Sequence, residues 1–122
     1  QRLRAARADA VDRVPTGNLE PVRDLLDVRD VVRAYVALLQ HGVAGEAYNV
    51  SRGEGVTLRE LFTRLADLVG VRVEPVTDPT LMRAGDIRYL VGNAGKLKQA
   101  TGWSPRISLE QTLRDMVDAQ AY

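Results

Sequence analysis

Gly17-Asn-Leu-Glu-Pro-Val-Arg-Asp-Leu-Leu-Asp-Val-Arg-Asp-Val-Val-Arg-Ala-Tyr35 is the stretch from which the fold of this chain unfolds. Asp27 stands where a side-chain oxygen can cap a helix. Val28, Val31, Val32, Tyr35, Leu38 and Leu39 follow at i, i+3, i+4, i+7 spacing, and Gly42 lies beyond the end. The pattern predicts a helix with one buried apolar face. Upstream of the cap the segment is extended, which leaves Arg23 at a loop or strand end, off the polar face of any helix.

Downstream, Glu46-Ala-Tyr-Asn-Val50 is rich in strand formers and runs into the glycine-containing turn Ser51-Arg-Gly-Glu-Gly55, so a strand followed by a loop is expected. Thr57-Leu-Arg-Glu60 is a capping box. It opens a helix with Leu58, Leu61, Phe62, Leu65, Leu68 and Val69 inward and Gly70 as the stop. Val71 to Val76 alternates apolar and polar residues and predicts a strand, with Pro75 confining it to an edge or an end. Asn93 can cap a short helix ending at Gly102. Ser108-Leu-Glu-Gln111 is a second capping box, for a terminal helix with Leu109, Leu113, Met116 and Val117 on one face. Alternating helical and extended pieces with short connections and no internal repeat make the chain α/β.

A chain of 122 residues holds one domain at most. It has no cysteine, which excludes disulfides, thiolate catalysis and cysteine-ligated metals and fits a reducing cytoplasm. A hydrophobic fraction of 45% beside 27% charged residues is that of a soluble globular domain, and no segment has the apolar length a bilayer requires. The arginine-rich Gln1 to Arg13 has no apolar stretch and so is not a secretory signal; without an initiator methionine it reads as a fragment or a processed chain. Net charge is +1 with acids interspersed among bases, which argues against a nucleic-acid footprint. Of the 17 basic residues only Lys96 and Lys98 are lysine, a bias that fits a GC-rich coding sequence.

Few side chains stand out chemically. His41 ends a helix beside Gly42, where an imidazole meets terminal carbonyls; one histidine without cysteines builds no zinc site, and the scattered carboxylates lack metal-loop spacing, so no metal is expected. Asp24, Asp27 and Asp30 are read as a strand-end partner, a helix cap and a first-turn acid. Arg23 and Arg83 both fall at loop or strand-end positions. Two converging guanidinium groups can neutralise a diphosphate through paired hydrogen bonds, although spacing alone favours solvated surface residues for each. Trp103, between Gly102 and Pro105, is expected to pack the final helix onto the domain rather than to stack on a base.

The stretch from Gly17 to Tyr35 closely resembles the corresponding part of GDP-mannose 4,6-dehydratases and GDP-6-deoxy-4-keto-mannose reductases. Gly45-Glu-Ala-Tyr-Asn-Val50, Arg83-Ala-Gly-Asp86, Ala100-Thr-Gly-Trp-Ser-Pro105 and Leu109-Glu-Gln-Thr-Leu113 are similar to successive landmarks of extended short-chain dehydrogenases/reductases (the NAD-dependent epimerase/dehydratase family), in that family's order. The resemblance implies the C-terminal part of a Rossmann-type enzyme: the last helix and strand of the Rossmann half plus the small mixed α/β substrate-binding domain, across residues 1–122. It also implies that Arg23 and Arg83 contact the nucleotide diphosphate and that Asp86 reaches the ribose hydroxyls, with Asn18 near the base or sugar side unless it only shapes its turn. Asp86 and Ala84 depart from the family pattern, which often has glutamate and proline there.

Two features that the resemblance requires of a catalyst are not in the sequence. No glycine-rich dinucleotide turn is present, since Gly92-Asn-Ala-Gly95 has the wrong spacing. No tyrosine is followed four residues on by lysine: Leu39, Arg52 and Asn93 follow Tyr35, Tyr48 and Tyr89, and Tyr122 is the last residue. The expectation is therefore a GDP-hexose-binding part, inactive alone, whose NAD or NADP belongs to a missing N-terminal half, with no cofactor on this chain itself. The helix from Val28 and the strand at Ala47–Val50 would lie on that half, so exposed apolar faces, self-association or a homo-oligomer are expected, with no nucleic acid or membrane as partner. The alternatives are a fragment of a UDP- or dTDP-hexose epimerase or dehydratase, and a non-catalytic nucleotide-sugar-binding or interaction module.

Overall fold

The computed structural model describes residues 1–82 and 85–119. The chain is mixed α/β. Two small sheets are flanked by helices α1 (Arg2–Ala8), α2 (Val28–His41), α3 (Leu58–Val69), α4 (Gly95–Thr101) and α5 (Leu109–Ala119). Strands β1 (Arg13–Thr16) and β4 (Glu74–Thr77) pair in parallel, Val14 opposite Pro75; β2 (Val22–Asp24) is the centre of the second sheet, antiparallel to β3 (Gly55–Thr57) and parallel to β5 (Tyr89–Leu90).

The helix ends follow the local chemistry. The Asp27 carboxylate accepts the Arg29 N–H at 2.9 Å at the head of α2. The Thr57 hydroxyl accepts the Glu60 N–H at 3.0 Å, and Ser108 Oγ accepts that of Gln111 at 3.1 Å. Gly70 and Gly102 close α3 and α4 in the left-handed conformation that a side chain would strain. Asn93 Oδ1 takes the Gly95 N–H at 2.8 Å, at the start of α4.

Other expectations need correcting. The apolar stripe of α2 is buried only in part, at the half-buried Val31 and Leu38; the rest is open, as a place against a further half implies, with Val28 70% and Leu39 88% exposed and Val32, Tyr35 and Val36 also open. The face that packs carries Asp30 and Ala34 instead. Glu46–Val50 forms no strand among the described residues, because no neighbouring strand lies beside it to share hydrogen bonds. The strand expected from Val71 starts at Glu74, and β1, its parallel partner, alternates in burial but is only four residues long with Pro15 inside it, too short a pattern to announce a strand.

Trp103 is buried, and its partners also differ from expectation. It forms a core with Ala34 of α2 and Leu97 of α4, with Leu26, Leu38, Tyr48 and Val50 against it. Its indole N–H donates to the Asp30 carbonyl at 3.1 Å. Helix α5 lies on α3 instead, with Leu113 buried. The side chain of Asp30, fully buried, accepts the N–H groups of Arg106 and Ile107 at 3.0 and 2.9 Å and pairs with Arg33. It is thus the anchor of the 103–107 segment, beyond the first-turn role its position predicted.

Candidate functional site

Strand β2 is short but carries two groups that gather distant segments. Asp24 closes it with a carboxylate that accepts three backbone N–H groups: Arg52 at 2.9 Å, Gly53 at 2.8 Å and Gly92 at 3.2 Å. One side chain thereby ties the turn after Val50 to the segment that follows β5. Glycine is needed there for space, since a Cβ on Gly92 would meet the Ser51 side chain at 2.5 Å. Gly92-Asn-Ala-Gly95 is accordingly a packing and capping segment. Sequence reasoning identified Asp24 only as a strand-end partner; its donors are 28 to 68 residues away.

Arg23, one residue earlier, is the centre of the predicted site. Its Nη1 donates to the carbonyls of Val22 at 2.9 Å and Ile87 at 2.7 Å, and its Nη2 donates to Asp86 Oδ1 at 2.7 Å. The pair is partly open to solvent, with side-chain exposures of 22% and 28%. The fold therefore brings Arg23 and Asp86 together although 63 residues separate them. Parallel pairing of β2 with β5 does this, because Val22 N–H bonding to the Arg88 carbonyl lays the 86–88 segment alongside β2. Asn18 accepts the Glu20 N–H at 3.0 Å, the turn-shaping contact of an Asx residue. Arg83 lies outside the described residues. Ile87, Tyr89 and Leu90 are exposed beside the ion pair and give the polar centre an apolar margin.

Elsewhere the polar chemistry is structural. Asp27 is buried, and its carboxyl is held well below the usual carboxylate range, first by the Arg29 side chain and then by the Arg29 N–H and the Thr112 hydroxyl, against the opposing effect of burial. Arg29 also bridges to Asp115, which lies 2.6 Å away on α5, so this cluster fastens α2 to α5. A cleft of about 400 Å³ opens between Ser51, Gly92, Lys98 and Trp103, away from Arg23 and Asp86. Among the described residues no group of three or more His, Asp or Glu side chains stands ready for a metal ion, and no helix is long and apolar enough to cross a membrane.

Residues 3–116 match the model of the family described as GDP-mannose 4,6 dehydratase. The chain belongs to that family. A curated relative of this dehydratase family member is the GDP-6-deoxy-D-mannose reductase of Pseudomonas aeruginosa, 44% identical over 103 residues that make up 84% of this chain and 34% of the reductase. A UDP-glucose 4-epimerase of Mycolicibacterium smegmatis is 31% identical over 84% of this chain and 32% of its own length. Among solved structures, RMD from P. aeruginosa complexed with NADPH superposes with a TM-score of 0.85 at 40% identity, covering 95% of this chain and 38% of that one. A dTDP-glucose 4,6-dehydratase from Bacillus anthracis in complex with NAD gives 0.79 at 28% identity, covering 98% and 37%. These are Rossmann-type extended short-chain dehydrogenases, and the α/β architecture of the family member agrees with theirs. The chain spans about a third of the length of the curated relatives it matches.

Proposed function

We propose that this chain is the sugar-nucleotide-binding part of an NAD(P)-dependent enzyme acting on a GDP-hexose, a 4,6-dehydratase or a 4-keto-6-deoxymannose reductase. The observation that carries the proposal is the meeting of Arg23 and Asp86 at 2.7 Å on one partly exposed surface, in a chain of the GDP-mannose dehydratase family. Arg23 offers fixed donors to the diphosphate, and Arg83 supplies the second guanidinium. Asp86 offers acceptors to the ribose diol, and Asn18 stands on the base or sugar side. Tyr89 and Ile87 flank the pair and provide apolar surface for a nucleobase.

The cofactor, NADP or NAD as in the solved relatives, is held by the rest of the complete protein, because this chain has neither the glycine-rich turn nor the tyrosine–lysine pair. That remainder covers the apolar face of α2 and gives Ala47–Val50 the strand neighbours it lacks. Residues 1–122 thus form one unit of a larger enzyme and turn over no substrate by themselves.

Calorimetric titration of the full-length gene product tests the assignment. GDP is expected to bind, and Arg23→Ala to weaken it roughly ten- to a hundredfold, the worth of a charge-assisted bidentate contact. Equal affinity for UDP-glucose and GDP-mannose defeats the GDP assignment; unchanged GDP affinity in Arg23→Ala removes the site.

A further inference from the structure

Arg23 and Asp24 are consecutive on β2, so their side chains leave opposite faces of the strand. Each reaches one end of the segment that carries β5: Arg23 bonds Asp86 and the Ile87 carbonyl before it, and Asp24 takes the Gly92 N–H beyond it. Between these holds β5 pairs with β2 only at Val22–Tyr89 and Arg23–Leu90. So short a parallel ladder is a weak register by itself. Asp24 Oδ2 supplies a further rung from a side chain, 3.2 Å from the Gly92 nitrogen. The carboxylate is itself fixed from a second side, since Oδ1 accepts the Arg52 N–H at 2.9 Å and Oδ2 that of Gly53 at 2.8 Å. Ser51 closes against Gly92 with no room for a side chain between them, so the two segments meet around this one group.

We propose that Asp24 is a positioning residue for nucleotide binding: by holding Gly92 it keeps the 86–90 segment in register beside Arg23, and it never touches the ligand. The proposal rests on the reading of Arg23 and Asp86 as nucleotide contacts. Arg23 takes its aim from the Val22 and Ile87 carbonyls and from Asp86, and two of these three acceptors lie on the segment that Asp24 anchors. Release of Gly92 leaves that segment to the short ladder alone, and the guanidinium loses the frame that presents its remaining donors to an anion. Linkage makes the effect reciprocal: a nucleotide that binds the framed arginine tightens the Asp24 bonds by the same factor. An amide cannot replace the carboxylate, because it has one acceptor oxygen where two oxygens are in use.

The test is calorimetric titration of GDP into the full-length gene product and its Asp24→Asn, Arg23→Ala and doubly substituted forms. Asp24→Asn is expected to weaken GDP roughly three- to thirtyfold with Arg23 present and less than about twofold once Arg23 is alanine, since it acts through that side chain. A merely structural aspartate gives a different pattern, the same loss in both backgrounds or no loss in either, and both results overturn the proposal. Wild-type protein supplies an independent reading that needs no variant to fold. Saturating GDP is expected to slow hydrogen exchange in peptides spanning 50–54 and 91–93 as well as 86–90. Unchanged exchange at 50–54 and 91–93 beside slowed exchange at 86–90 overturns the proposal. Failure of the nucleotide site itself looks different: GDP does not bind, or binds with no dependence on Arg23, and the positioning role falls with it.

Discussion

Three aspartates spaced three residues apart do three separate jobs, and each job sets a distinct sensitivity. Asp27 carries its charge in the folded state against a depressed proton affinity, caused first by the Arg29 side chain. Its unfolded value lies near 4, above the folded one, so its contribution is complete above about pH 5 and is lost as pH falls below 4 toward the folded value. Asp115 and Asp78 are lowered in the same direction, by Arg29 and by Thr80 respectively. Melting temperature should therefore fall steeply with acidification below pH 5, and Asp27→Asn should flatten that slope; a slope equal to wild type contradicts the assignment. Asp30→Ala leaves two backbone N–H groups without their acceptor and Arg33 with only the Ser104 carbonyl, with an expected loss of about 3 kcal/mol in denaturant unfolding. The residue types and positions of these groups were legible in the sequence, but their partners were not: Asp30 answers N–H groups at 106 and 107, a contact that no local pattern encodes.

At the level of elements, the capped helices were legible, while α1 (Arg2–Ala8), which has no side-chain cap, and the strands were much less so. Thr57, Ser108, Gly70 and Gly102 mark their helix ends by chemistry that acts within four residues, so the sequence carries the whole signal. Strands β1, β2 and β5 have two to four residues each and exist through pairing with distant partners, which short-range alternation cannot announce. Helix α2 was legible in both respects, since its apolar stripe follows from the spacing and its exposure from the family resemblance that sets it against a further half. A hydrophobic face records what a helix must cover, and here the described residues do not cover it. Replacing Val32 and Leu39, 54% and 88% exposed, with glutamate should turn a self-associating isolated chain into a monomer by analytical ultracentrifugation, with little change in melting temperature. A wild-type chain already monomeric and cooperatively folding would show that the face needs no partner. Tight elements respond differently: a Cβ at Gly55 would stand 2.5 Å from Val22 and 2.9 Å from Val91, so Gly55→Ala is expected to cost about 1–3 kcal/mol.

At the scale of the whole molecule, a small sheet centred on β2 draws distant segments of the chain together. Strand β2 binds the turn after Val50 through Asp24 and the 86–88 segment through Arg23, so the two residues of one short motif gather three regions of the chain. The family was legible because its landmarks recur in order along the sequence. The pairing of Arg23 with Asp86 was not, because each was assigned a separate ligand contact and only the parallel register of β2 with β5 makes them neighbours. The central claim is that a GDP-sugar docks on that shared surface. Hydrogen exchange of the full-length gene product, with and without saturating GDP, reads it most directly. The account predicts slowed exchange in peptides spanning 17–26 and 81–90; protection confined to 51–53 and 92–105, beside the separate cleft, or no protection in this chain at all, would contradict it.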